Sequence, residues 1–143
     1  MNAMYLIVRL AGQRVALAAQ HVASVVEIDE IAPVPRAPVH VAGLFALRSR
    51  VLTVIDTRIA LGLSVPASSR SNEAVIVDCE GHSYALIVDR IEDVIEATTP
   101  ASCPAVLTDA WAHATIGVIK VDSELLAVLD PKTLIVGGRQ RAA

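Results

Sequence analysis

Residues 6–27, LIVRLAGQRVALAAQHVASVVE, lie on residues 75–96, VIVDCEGHSYALIVDRIEDVIE, at an offset of 69 with no gap. Leu6-Ile7-Val8 meets Val75-Ile76-Val77, Gly12 meets Gly81, Ala16-Leu17 meets Ala85-Leu86, and Val25-Val26-Glu27 meets Val94-Ile95-Glu96. An offset of 74 continues the match: Gly43 meets Gly117, Ser49 meets Ser123, and Val54-Ile55-Asp56 meets Val128-Leu129-Asp130. The five-residue change falls in connecting loops, where insertions cost little. The chain therefore reads as a duplication, each half running hairpin, short helix, edge strand, loop, hairpin, Asp, helix.

Working outward, short apolar runs bounded by Gly, Pro and polar residues predict strands at 5–10, 13–18, 24–28, 43–48, 51–56, 74–80, 83–89, 93–97, 114–121 and 125–129. Gly12-Gln13 and Gly81-His82 sit between apolar runs as hairpin turns, with Arg48-Ser49 and Asp122-Ser123 in similar places. Helix is confined to short pieces near 19–24, 57–62, 90–93 and 131–135. With 20 Val and 12 Ile among 143 residues and only 3% aromatics, the core is aliphatic and the β-branched content favours strands. Five short strands in each half suit a small barrel, which removes exposed sheet edges. A barrel of that size has little core of its own, so two should pack side by side and share a groove. The expected organisation is one domain over 4–136, made of a first barrel at 4–63 and a second at 74–136. The linker is placed at 64–73, around Pro66 and the serines beside Arg70, and a frayed tail at 137–143.

Twelve basic and fifteen acidic residues leave a formal charge of −3, and no basic patch interleaved with aromatics marks a nucleic-acid reader. Apolar runs are broken by charge well short of the roughly 20 residues that span a bilayer, and no secretion signal opens the chain. A cytoplasmic protein without direct membrane contact is expected. Cys79 and Cys103 are too few for a disulfide scaffold and are not spaced as a metal or redox pair.

Catalysis needs converging polar groups, and few are on offer. His21, His40, His82 and His113 lack zinc-ligand spacing and read as surface or loop histidines. Asp56 and Asp130 recur once per half, just before a short helix, which makes them N-caps. There is no phosphate loop and no nucleophile elbow. No catalytic residue, cofactor or metal is assigned. The alternative is a small β-barrel protein that binds a small molecule or acts as a hydrolase, with Asp56 and Asp130 or the histidines in a cleft. What remains is surface for protein contact. Ile28 to Gly43 carries Pro33, Pro35 and Pro38, so it is extended and cannot pair fully in a sheet. Arg48 is a charge at the tip of a hairpin between buried strands.

The ordered set Tyr5-Leu-Ile-Val-Arg-Leu, Gly12-Gln, Ala16-Leu, Val22-x-x-Val-Val, Ile31-x-Pro-Val-Pro-x-Ala-Pro, Gly43-Leu-x-x-Leu-Arg48, Val54-Ile-Asp-x-Arg58 and Leu61-Gly62 resembles the CheW family of bacterial chemotaxis adaptors. Val88-Asp89-x-Ile-x-x-Val94 and Leu125-Leu-x-Val-Leu-Asp130 continue the resemblance to about residue 136. It implies an all-β fold of two five-stranded SH3-like barrels packed side by side, with short helices. It also implies a non-enzymatic adaptor that joins the cytoplasmic tip of chemoreceptors to the histidine kinase CheA through that kinase's CheW-like regulatory domain. Carried over by position, Val22, Arg48 and Val94 face the receptor, and Ile31, Pro33 and Pro35 belong to a loop facing the kinase. Two departures stand out. The family usually has Asn-Leu-Arg-Gly where this chain has Ala46-Leu47-Arg48-Ser49, and a Glu two residues after Val22 where Ser24 stands.

Overall fold

A computed structural model describes residues 2–10, 12–61, 72–98 and 114–136. In chain order it has strands β1 (Asn2–Leu10) and β2 (Gln13–Ala18), a 3-10 turn (Ala19–His21), then β3 (Val22–Glu27), β4 (Val41–Leu47) and β5 (Arg50–Asp56). Helix α1 (Thr57–Ala60) closes the first half. The second half holds β6 (Glu73–Cys79), β7 (His82–Ile87), β8 (Arg90–Thr98), β9 (Thr115–Val121), β10 (Glu124–Leu129) and helix α2 (Pro131–Val136). The ten expected strands are all present. Residues 90–93 are strand rather than helix, because Arg90 and Ile91 pair with Arg9 and Val8 of β1 and the ladder supplies their hydrogen bonds. Most of the expected linker, the tail, Cys103 and His113 lie outside the described residues.

The strands form two five-stranded sheets, ordered β8-β1-β2-β10-β9 and β3-β6-β7-β5-β4. Neither sheet is made of one half. The expected barrels at 4–63 and 74–136 are thus corrected: each sheet takes its first hairpin from one half and its other three strands from the other. The parallel pairings that make the exchange, β2 with β10 and β5 with β7, join segments distant in sequence, and no local pattern announces them. The duplication itself holds to the residue. Tyr5 pairs with Ala18 as Ala74 pairs with Ile87, and Ala16 pairs with Val128 as Ala85 pairs with Val54. The β1–β8 and β3–β6 ladders also share one bulge, with Glu92 the extra residue in β8 and Ala23 the extra residue in β3.

Burial explains why the hairpin strands are apolar without alternation. Tyr5 and Ile7 of β1 point into the first sheet's own core with Ala16, Ile119, Leu126 and Val128. Leu6, Val8 and Leu10 point the other way, into a core shared with Val75, Val77 and Leu86 of the second hairpin. Ala74 and Ile76 repeat the arrangement, facing Leu52, Val54 and Ala85 within the second sheet. The hairpins are therefore covered on both faces, and each buried aliphatic side chain contributes about 2 kcal/mol. Helices α1 and α2 touch each other and add Ala60 and Leu134 to the shared core.

Turn chemistry follows the sequence. Gly12 (φ 81°) and Gly81 (φ 83°) take the left-handed turn positions. Arg48 (φ 59°), Asp122 (φ 49°) and Ser123 (φ 70°) do so without the freedom of glycine. Gly43 is held for a different reason. At φ 149°, a Cβ there would sit 2.4 Å from the Ala32 carbonyl oxygen and 2.6 Å from Ile31 Cγ2. Gly43→Ala is therefore expected to cost about 2 kcal/mol or more, read as a lower midpoint in urea unfolding.

Candidate functional site

Strands β3 and β8 are edges of different sheets, and a groove of about 480 Å3 runs between them. Val22 and Val25 line it from β3, Ile91 and Val94 from β8, with Leu6 and Ala19 beneath. Under the offset of 69, Val22 corresponds to Ile91 and Val25 to Val94, so the two walls are equivalent parts of the two halves. The bulges at Ala23 and Glu92 twist both edges, and residues on both sides of the bulge face the groove. Val25 is 48% exposed and Val94 51%, large values for valine on a strand.

Of the three expected receptor-facing residues, the groove brings together Val22 and Val94. Arg48 is not part of its lining. It sits at the β4–β5 tip, exposed, on the opposite edge of the sheet from β3. Among the described residues it makes no hydrogen bond or ion pair. Sequence reasoning missed Val25 and Ile91, although the offset that equates them with Val94 and Val22 was the signal that could have found them.

The proline-rich loop is tied to β4 near its start. Ala32 N donates to Leu44 O and Leu44 N to Ala32 O, both at 2.8 Å, on the free edge of β4. Ile31 is half-buried and packs on the second sheet's core. Pro33 and Pro35 stand exposed beyond the anchor, with Val34 and Val39 apolar and exposed beside them. The loop is thus extended and stiff and barely paired, as the prolines require.

Three of the groups named for the hydrolase alternative, Asp56, Asp130 and His40, serve the fold. Asp56 Oδ1 accepts from Ile59 N at 3.4 Å and caps α1. Asp130 caps α2, accepting from Lys132 N at 3.2 Å and from Thr133 Oγ1 at 3.1 Å. His40 is buried at 4% exposure, contrary to the expectation of a surface histidine, because its Nε2 meets the Ile135 carbonyl oxygen at 2.8 Å and ties the loop to α2. A second hollow of about 640 Å3, lined in part by Met4, Tyr5, His21 and Ile116, has no carboxylate among the described residues of its lining. No group of three His, Cys, Asp or Glu among the described residues could hold a metal ion. No helix among them is long and apolar enough to cross a membrane.

Two ion-pair systems brace the groove's surroundings. Arg58, at α1, meets Asp89 at 2.8 Å and joins the two halves. At the turn end of the first hairpin, Glu92 bridges Arg9 at 3.0 Å and Arg14 at 2.9 Å, and Arg14 continues to Glu124 at 2.8 Å. This chain crosses β8, β1, β2 and β10 in turn. Desolvation works to raise the Glu92 carboxyl's pKa, but the bonds from Arg9 and Arg14 outweigh it and hold the group below its ordinary 4.5. Arg14 is pushed the other way, chiefly by its bond to Glu92.

A CheW-like domain model matches residues 4–137. The chain belongs to the CheW-like family. It is 30% identical over 115 residues to the chemotaxis protein CheW of Treponema pallidum, covering 76% of this chain and 68% of that one. To the chemotaxis protein CheW of Thermotoga maritima it is 24% identical over 123 residues, 86% and 81% of the two chains. The crystal structure of the scaffolding protein TtCheW from Thermoanaerobacter tengcongensis superposes with a TM-score of 0.75 at 23% identity, covering 91% of this chain and 90% of that chain. The expected fold of two five-stranded SH3-like barrels with few helices is the one observed. This CheW-like chain is a chemotaxis adaptor.

Glu92 yields a pH prediction. A carboxyl whose folded pKa is depressed adds stability above its unfolded value, and that stability is lost as pH falls through the folded value. The melting temperature of the wild type is therefore expected to fall further than that of Glu92→Gln as pH drops from about 6 to about 3. Parallel curves from calorimetry would show that Glu92 is not paired in solution.

Proposed function

We propose that this chain is a non-catalytic coupling protein that joins the cytoplasmic tip of chemoreceptors to the histidine kinase CheA. The groove between β3 and β8 takes the receptor tip, and the loop carrying Ile31, Pro33 and Pro35 lies on the kinase side. The observation that carries the reading is the convergence of Val22 and Val94 on one apolar groove between the two barrels. Two family positions 72 residues apart in sequence share its lining. The observed use of Asp56, Asp130 and His40 supports binding over hydrolysis, because each already serves a helix cap or a loop tie. The work is stoichiometric, and modest individual affinities multiply when receptor and kinase are held in one assembly.

In this reading Ile31 is an anchor more than a contact, since its side chain packs inward. Pro33 and Pro35 offer the exposed surface, and a stiff loop loses little entropy on binding. Arg48 supplies a separate basic contact for an acidic group on the receptor.

Capture of a purified receptor-tip fragment and of the CheA regulatory domain tests the proposal, and failure to bind either would refute it. Val94→Glu is expected to weaken tip binding by about tenfold or more while leaving kinase-domain binding unchanged. Because Val94 is half-exposed, its melting temperature should stay near that of the wild type. Arg48→Glu is expected to weaken receptor coupling with an equally small thermal shift, and a large loss of stability would make Arg48 a structural residue instead.

A further inference from the structure

The hollow of about 640 Å3 belongs to the first sheet's own core face, not to the groove. Strand β1 turns Tyr5 to the hollow and Leu6 to the groove, so the two depressions use opposite faces of one strand. Ala18 and Val128 line the hollow beside Tyr5 and pack in the same core. The internal repeat explains the room. Under the offset of 69, Ala18 corresponds to Ile87 and Ala97 to Ile28. Ile28 N donates to Asn72 O at 2.7 Å where Ala97 pairs with Ala3, so these positions are equivalent in space as well as in sequence. Ile28 and Ile87 fill the second sheet's core. Two alanines in their places leave the first sheet's core open at this end.

The chemistry of the wall selects an occupant. Tyr5 corresponds to Ala74, so the repeat puts a phenol hydroxyl in the first sheet where the second has none. Tyr5 is only 3% exposed, and its hydroxyl makes no hydrogen bond among the described residues. Buried hydroxyls are ordinarily hydrogen-bonded, because leaving one unpaired is costly. A ligand in the hollow would supply the missing partner. Among the described residues of the lining there is no Lys, Arg, Asp or Glu, and the other polar groups are Gln20, exposed, and His21, half-buried. That wall does little to offset the desolvation of a full charge. The volume lies within the range of about 300–1,000 Å3 usual for small-molecule sites.

We propose that this hollow binds a small, uncharged and mainly apolar molecule, held by a carbonyl oxygen that accepts from the Tyr5 hydroxyl. A phenol donates a hydrogen bond better than it accepts one, which favours a carbonyl over a donor group. The site is additional to the adaptor's protein contacts and does not depend on them.

The test follows the isotope-labelled full chain by NMR as 2-octanone is added. Saturable shifts are expected at Ala3, Ala18 and Val128, larger than at residues elsewhere. Tyr5→Phe should bind the ketone about fivefold more weakly. Octanoate, of the same chain length but charged, should bind about tenfold more weakly than the ketone. Because the variant removes an unpartnered buried hydroxyl, its melting temperature should equal or exceed that of the wild type. A clear fall would show that the hydroxyl already has a partner within the protein, and equal affinity of variant and wild type would show that it is idle. Either result overturns the proposal, as do shifts that fail to saturate or that centre on other residues. Octanoate binding as tightly as the ketone overturns the uncharged class.

Discussion

The β1–β2 and β6–β7 hairpins are covered on both faces, and neither has a solvent side to rest on. One face of each fills its own sheet's core, with Ile7 in the first and Ile76 in the second. The other face meets its counterpart in the shared core, where Leu6 and Val8 lie with Val75 and Val77. Because each hairpin also completes the sheet of the other half, neither half can satisfy its strands alone. Unpaired backbone groups and uncovered valines would both be costly, and the exchange removes both at once.

The groove is a consequence of that exchange. The strands left at the sheet edges beside the shared core are β3 and β8, one from each half, and they face each other as equivalent elements. Their common bulge turns Val22, Val25, Ile91 and Val94 towards one hollow. Valines with that exposure would be a liability on a free surface; placed in a concave strip between two rigid sheets they suit a partner's apolar stripe.

Where the halves differ, the differences are local and polar. The proline-rich loop of the first half is pinned to β4 at Ala32, and Gly43 leaves the space that this pinning needs. Arg58 joins α1 to Asp89, whereas the corresponding Lys132 on α2 pairs with Glu80. Glu92 gathers two arginines, while its counterpart Ala23 gathers none. A duplicated frame thus carries unlike surfaces.

The internal repeat, the ten strands, the hairpin glycines and the caps Asp56 and Asp130 were legible in the sequence, because each depends on local periodicity or turn chemistry. The family resemblance grouped Val22, Arg48 and Val94, of which the groove brings together Val22 and Val94 and leaves Arg48 outside its lining. Local pattern could not say which hairpin enters which sheet, since the repeat makes the two halves interchangeable as pairing partners. It also misread residues 90–93, whose conformation is set by the ladder to β1, and His40, whose burial is set by the Ile135 carbonyl. The sequence by itself determined that there are two equivalent halves with aliphatic cores. Only the tertiary structure decided that they exchange hairpins and so build a groove, because parallel pairing between distant segments is settled by the burial it completes.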